Sequence, residues 1–320
     1  MTTDSNAPAE ARRPRVLVLA GTTGSGKTEV SIPLALRLKG EIINADSRQV
    51  YRDLEIGTAK PSPAQLAQVP HHFIGHISIH DRWTAGDFSR EGRTLIDEII
   101  LRGHLPIVVG GSMLYIKALL NGFFDDETLE PAAYDELRAE LEHRGVNVLY
   151  QELTDSDPEL ASKTDPNDHH RILRGLSVFR QSGKRLSDLQ KTAEVAIAHP
   201  YRLYFLFGDR EETYLRVNQR ASLMVEEGLV EEVRKLFETG LDENNCNALR
   251  THGYQEIFPY LRGEISRETM IENIQKAVRH YVKRQITWFR AVPETRWIER
   301  SFSEPPEKAA GLIAEDFNNK

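Results

Sequence analysis

Cysteine is nearly absent: Cys246 stands alone in 320 residues. No internal disulfide can form, which suits a reducing compartment. No Cys/His spacing of the kind that holds zinc is present. Long hydrophobic runs are also missing. The longest, around Ile107 and Leu203, fall far short of the ~20 residues a membrane-spanning helix needs, so no membrane association is expected. The first residues are polar, with no apolar core segment, and no secretory signal is expected there. Positions 1–13 and 301–320 read as tails. There is no internal repeat and no low-complexity tract. Excess positive charge is lacking too. The net charge of −7 argues weakly against nucleic acid, although a net figure leaves local patches open. With 40% hydrophobic and 28% charged residues, the expectation is a cytoplasmic globular monomer with a sizeable core.

What is present starts with Gly21-Thr22-Thr23-Gly24-Ser25-Gly26-Lys27-Thr28, which fits the phosphate-cradling pattern G-x-x-x-x-G-K-[ST]. An apolar run at 15–20 reads as a buried strand before it. A helical pattern at 29–39, with Val30, Leu34 and Leu38 in phase, follows it. In that context glycines let backbone N–H groups converge on phosphate oxygens at a helix N-terminus. Lys27 would add a point charge, and Thr28 a hydroxyl for magnesium.

Further strand candidates lie at 41–45, 72–79, 106–110 and 202–208, with helices at 85–102 and 113–120 between them. This alternation predicts an α/β fold: a P-loop NTPase-like, mostly parallel sheet flanked by helices. The rhythm stops at 123–199, where helices at 131–144 and 167–182 suggest an inserted small helical domain. The core is then 14–122 plus 200–300, closing with a long helix at 211–239 and another at 267–291.

Polar clusters fall where such strands end, which is where open parallel sheets bind ligands. Asp46-Ser47-Arg48-Gln49 follows the second strand. Asp46 there can hold magnesium, take a proton or merely cap the next helix. Gly57-Thr58-Ala59-Lys60-Pro61 and His71-His72 come next. Gly110-Gly111-Ser112 either forms a tight turn or offers Ser112 to a leaving oxygen. Arg216 and Arg220 share one helix face. Two basic stretches stand out. In the insertion, Arg171, Arg174, Arg180, Lys184, Arg185 and Lys191 face only Asp188 among acids. In the last helix, Lys276, Lys283 and Arg290 recur every seven residues beside Tyr281, Trp288 and Phe289. Such runs are either solvated faces or a nucleic-acid grip.

These residues allow a small-molecule kinase, a transferase with diphosphate as leaving group, or an RNA-binding switch without chemistry. The transferase accounts for both the phosphate loop and the basic helices if its nucleophile belongs to a nucleic acid.

Taken in order from about Pro14 to Arg300, the blocks resemble the bacterial tRNA dimethylallyltransferases. They are the loop at 21–28, Asp46-Ser47-Arg48-Gln49-Val50-Tyr51, Gly57-Thr58-Ala59-Lys60-Pro61, Pro70-His71-His72, Gly110-Gly111-Ser112-Met113-Leu114-Tyr115, Asn167-Asp168 with Arg171 and Arg174, and Lys283-Arg284-Gln285-Ile286-Thr287-Trp288-Phe289-Arg290. The resemblance implies Mg2+-dependent transfer of dimethylallyl from dimethylallyl diphosphate. The acceptor is N6 of the adenosine 3′ of the anticodon, in tRNAs reading U-starting codons. It assigns the loop residues and Arg220 to the diphosphate and Thr28 to magnesium. Asp46 becomes the general base, and Ser112 sits next to the bridging oxygen. tRNA contacts fall to Asp46, Ser47, Arg48, Gln49, Ser112, His170, Arg171, Ile172, Leu173, Arg174, Arg250, Gly253, Tyr254, Lys283, Arg284, Gln285 and Arg290. The chain departs from the family pattern at Ser112, usually threonine, and at Thr22 and Gly24, usually proline and alanine. The Ser112 hydroxyl is kept, and the other two are backbone-role positions.

Overall fold

A computed structural model describes residues 15–124, 131–193 and 195–319. The expected tail at 1–13 lies outside them. The chain divides into two units: one runs up to Ile116 and resumes at Ala198, and the other is Lys117–Ile197.

The first unit begins with β1 (Val16–Gly21), α1 (Lys27–Leu38), β2 (Gly40–Asn44), α2 (Pro63–Leu66), β3 (His71–His72), α3 (Ala85–Leu101) and β4 (Leu105–Gly110). The division between units falls within α4 (Met113–Asn121). The second unit continues with α5 (Pro131–Arg144), α6 (Val146–Ser156), α7 (Pro158–Ser162), α8 (His169–Ser182) and α9 (Leu186–Ala193). The first unit then resumes with β5 (Tyr201–Phe207), α10 (Arg210–Glu226), α11 (Leu229–Glu238), α12 (Phe258–Leu261), α13 (Arg267–Arg290), β6 (Arg296–Glu299) and α14 (Pro306–Asn318).

All six strands are parallel, in the order β3-β2-β4-β1-β5-β6. β1 is central and buried at every position, as its unbroken apolar run requires in a sheet covered on both faces. Side chains alternate between faces. Leu17, Leu19, Tyr204 and Leu206 join the core under α1 and α14. Phe205 instead meets Phe289 of α13, ring centroids 4.7 Å apart. A second core joins α10, α11 and α13 through Val225, Val233, Tyr254, Phe258 and Ile274.

Three expectations are corrected here. The tail at 301–320 contains α14, which buries Ala309, Ala310, Ile313 and Phe317 against α1. The strand expected at 72–79 ends at His72. Phe73 and Gly75 take positive φ (62° and 58°), and only Ile77 bridges back, to Tyr51. Phe73 is held in that unfavourable conformation by rings of His76, Trp83 and Phe88 and by Asn44 Nδ2, which donates to its carbonyl at 3.1 Å. The long helix at 211–239 is two helices, broken at Gly228 with φ 107°. The break turns Leu229, Val230 and Val233 into the second core. β6 carries no apolar run and was not anticipated; it pairs only with β5.

The second unit is a small helical bundle around Leu149, Leu153, Leu160, Ile172 and Leu176. Its buried Asp157 caps α7 through the Leu160 N–H (3.1 Å) and accepts from the Ser187 hydroxyl (2.7 Å) and N–H (2.9 Å).

Candidate active site

The carboxyl ends of β1, β2 and β4 converge, within the first unit, on a cavity of about 1300 Å³. Thr23, Gly24, Gly26, Lys27 and Thr28 line it, with Asp46, Ser47, Arg48, Gln49, Ser112 and Arg220. Parallel strands bring these separated clusters together, because every strand ends on the same side of the sheet.

The glycine loop has the expected shape. Gly24 and Gly26 take φ 81° and 78°, a conformation side chains resist. Gly21, Thr22 and Ser25 do not line the cavity. Ser25 and Thr22 are buried behind it, the Ser25 hydroxyl donating to the Thr22 carbonyl at 2.8 Å. The Lys27 ammonium donates to the carbonyls of Gly21 (2.9 Å) and Thr22 (2.8 Å). Burial pushes its pKa down to about 8; Asp46 pulls it upward, and Arg220 adds to the lowering. Among the described residues no carboxylate bonds this amine, and a phosphate would supply a direct anionic partner.

Asp46 does two things at once. Its Oδ1 accepts the N–H groups of Arg48 (2.9 Å) and Gln49 (3.3 Å), so it caps a turn where a helix cap was the expected alternative. Its Oδ2 has no hydrogen bond among the described residues, and the residue faces the cavity. The Ser112 N–H donates to the Ala45 carbonyl (3.3 Å), which binds the β4 loop to the β2 end. Burial lowers the pKa of Arg220, with Asp46 opposing the shift. Arg216 reaches the loop itself, donating from Nε to the Gly24 carbonyl at 3.3 Å.

Several residues assigned to RNA are engaged in contacts inside the protein. Gln285 is fully buried. Its Oε1 accepts the Thr23 N–H (2.9 Å), and its Nε2 donates to the Gly111 carbonyl (3.0 Å). Tyr254 is fully buried too. Its hydroxyl donates to Glu232 Oε1 (2.6 Å), while Glu232 Oε2 accepts from the N–H groups of Glu55 and Ile56. Gly57 approaches the Tyr254 ring so closely that a Cβ there would lie 2.4 Å from it. Gly253 is buried and donates its N–H to Glu256 (2.7 Å). Ile172 and Leu173 belong to the core of the second unit. All five make internal contacts in this fold, and Gly253 and Tyr254 also line the cavity.

On α8, His170 and Arg171 are exposed and Arg174 is half-buried. The basic run of the insertion is also better paired than its sequence suggests. Arg180 bonds Glu140 (2.8 Å) and Glu152 (2.6 Å), and Lys191 bonds Glu159 (2.5 Å). Lys184 and Arg185 remain exposed. In the first unit Arg250 is exposed but donates to the Glu243 carbonyl. Lys276, Lys283, Arg284 and Arg290 are exposed on α13. The aromatics between them are mostly core: Phe289 is fully buried and Tyr281 half-buried.

One residue escaped sequence reasoning. Arg300, at the end of β6, is 5% exposed. It donates to the Ser25 and Gly26 carbonyls (3.2 and 3.3 Å) and to Glu29 (2.8 Å), bracing the loop from below. No local pattern marks an arginine 275 positions from its partner. His252 lines the same cavity as Asp46, whose charge acts on its ring.

Thr28 also opens on the cavity. Magnesium favours few protein oxygens completed by water and phosphate, so Thr28 with a diphosphate fits it.

A family profile described as IPP transferase matches residues 49–292. The chain is 43% identical over 299 residues to tRNA dimethylallyltransferase 1 of Syntrophotalea carbinolica, covering 92% of this chain and 93% of that one. It is 41% identical to the tRNA dimethylallyltransferase of Desulfosudis oleivorans, covering 94% and 95%. Among solved structures it is similar to the tRNA isopentenylpyrophosphate transferase of Bacillus halodurans (TM-score 0.69, 33% identity, 95% and 97% covered). It is also similar to a eukaryotic dimethylallyltransferase acting on tRNA (TM-score 0.79, 30% identity, 94% and 79% covered).

Proposed function

Given that the chain belongs to the IPP transferase family, we propose that it transfers dimethylallyl from dimethylallyl diphosphate to N6 of the adenosine 3′ of the anticodon, in tRNAs reading U-starting codons. One observation carries this reading: a single cavity holds a phosphate loop with Lys27 and Arg220, and a carboxylate, Asp46, with one oxygen unbonded. The charges suit a departing diphosphate and the carboxylate suits an incoming amine.

The adenine amine is a weak nucleophile, its lone pair being delocalised into the ring. The barrier must therefore fall on the leaving side. As the bond between the allylic carbon and the bridging oxygen breaks, negative charge grows on the diphosphate. Lys27, Arg220 and the loop N–H groups oppose it. Ser112 can donate to the bridging oxygen. The nitrogen forms its bond to the same carbon, and Asp46 takes the amine proton. Magnesium, held through Thr28, would supply further neutralisation of the diphosphate.

The base must leave its stack to enter, as in other enzymes that modify bases. Lys283, Arg284 and Arg290 in the first unit, and Arg171 in the second, suit contacts to RNA phosphates. Binding would then weaken steeply with salt. Among the described residues no helix is long and apolar enough to cross a membrane. A cytoplasmic monomer belongs to the same proposal.

The test uses purified protein and dimethylallyl diphosphate labelled in the prenyl group, offered undermodified tRNA or AMP. Label in tRNA supports the proposal. Label in AMP alone contradicts it.

A further inference from the structure

His252 lines the cavity and has no part in the chemistry above. It lies in the turn after Leu249, with its ring 4.3 Å from that of Tyr281 at 31°. Tyr281 is itself fixed, because its hydroxyl donates to the Gly111 carbonyl at 3.0 Å, next to Ser112. Asp46, Arg48 and Arg284 are the charges that act on the imidazole.

A histidine that only fills a core bonds its ring nitrogens. In this fold His72 and His104 both bond Glu41 (2.8 and 2.7 Å), and His71 Nδ1 lies 2.8 Å from the Val69 carbonyl. His252 has no hydrogen bond from either nitrogen among the described residues, and neither nitrogen is sealed from solvent as the unpartnered His71 Nε2 is. Burial pushes its pKa down to about 4; Asp46 opposes the shift, and Arg284 and Arg48 assist it. The ring is therefore neutral at physiological pH. It presents a flat, uncharged π surface in the cavity that the proposed base also lines.

We propose that His252, backed by Tyr281, is the stacking wall of the acceptor-base subsite. It is a specificity-determining residue that takes the face of a purine while Asp46 takes its amine. This rests on the prenyl-transfer reading above. Stacking on an aromatic side chain is worth roughly 1–3 kcal/mol per base. Losing it therefore costs about tenfold or more in affinity. The donor side should not notice, since His252 is not in the phosphate loop.

The experiment compares wild type with His252→Ala, His252→Leu and His252→Phe. An undermodified anticodon stem–loop is the acceptor, and pyrophosphate binding is measured in parallel. The expected result is a stem–loop KM raised about tenfold in H252A and H252L and held within about threefold in H252F. Pyrophosphate affinity stays near wild type in all three, which also shows that each variant is folded. An unchanged KM in H252A overturns the inference, and so does H252F as impaired as H252A. If the wild type transfers nothing to the stem–loop, the reading of the site falls and takes this inference with it. If wild type transfers and H252A is unaffected, only the stacking wall falls.

Discussion

Gln285 Oε1 accepts the Thr23 N–H at 2.9 Å, across 262 positions of sequence. The same side chain donates to Gly111 at 3.0 Å, so one buried amide links the phosphate loop to the turn that carries Ser112. A side-chain amide supplies an acceptor and a donor together on one uncharged arm. Helix α13 thus turns one face to solvent with Lys276, Lys283 and Arg290 and holds two active-site loops with the other.

Replacing Gln285 by Met leaves the Thr23 N–H and the Gly111 carbonyl without that partner. The expected cost is about 1–3 kcal/mol in stability. It should come with a several-fold rise in KM for dimethylallyl diphosphate and little change in tRNA affinity. Steady-state kinetics with each substrate varied, plus urea denaturation, checks this. An unchanged donor KM would show that the link does not position the loop.

Lys27 gives a pH dependence. Its pKa of about 8 lies below the ordinary 10.5, so the ammonium is present below pH 8 and lost as pH rises through it. Pyrophosphate affinity of wild type relative to Lys27→Met should fall by up to about tenfold per pH unit above 8. Calorimetric titration from pH 7 to 9.5 reads this ratio. A flat ratio contradicts the assignment of Lys27 to the phosphates.

Glu41 sits at the opposite end of the sheet, at the start of β2, buried beneath Arg102, His72 and His104. Burial alone would raise its pKa. Hydrogen bonds from Arg102, His72 and His104 outweigh burial and hold it at about 2 instead of the ordinary 4.5. A depressed carboxylate stabilises the fold above its unfolded pKa, and that contribution fades as pH falls from about 4.5 toward 2. Glu41→Gln should lose about 1–3 kcal/mol at pH 7, a deficit that shrinks at pH 3, with kcat unchanged. Denaturation midpoints at the two pH values test it. An equal deficit at both would mean that packing, not charge, is responsible.

Much of this was legible in the sequence, for physical reasons. The loop at 21–28, Asp46 and Gly111-Ser112 lie at the ends of largely buried strands, of which β1 and β4 carry plain apolar runs. What stayed hidden depends on distance or on local conformation. Arg300 and Gln285 reach the loop from far along the chain, so no spacing rule finds them. The break at Gly228 looks continuous because apolar residues stay in helical phase on both sides of it. The tail containing α14 is legible only in retrospect, through the small apolar face Ala309, Ala310, Ile313 and Ala314. Ile172 and Leu173 sit in a stretch matched to RNA contacts, yet their side chains are buried in the core of the second unit.

Asp46→Ala should keep tRNA affinity and lose about 10²–10⁴-fold in turnover, the usual range for a general base. Filter binding and single-turnover transfer separate the two effects. Near-normal turnover would remove Asp46 from the role of base.

The central claim is that the loop at 21–28 holds what leaves, and that phosphorus is not the atom attacked. Dimethylallyl diphosphate labelled with one isotope in the prenyl carbons and another in both phosphorus atoms tests it directly, with undermodified tRNA as acceptor. The account predicts carbon label in the tRNA and all phosphorus label released as intact pyrophosphate, in equal amounts. Phosphorus label in the RNA, or release as orthophosphate in step with transfer, would contradict it.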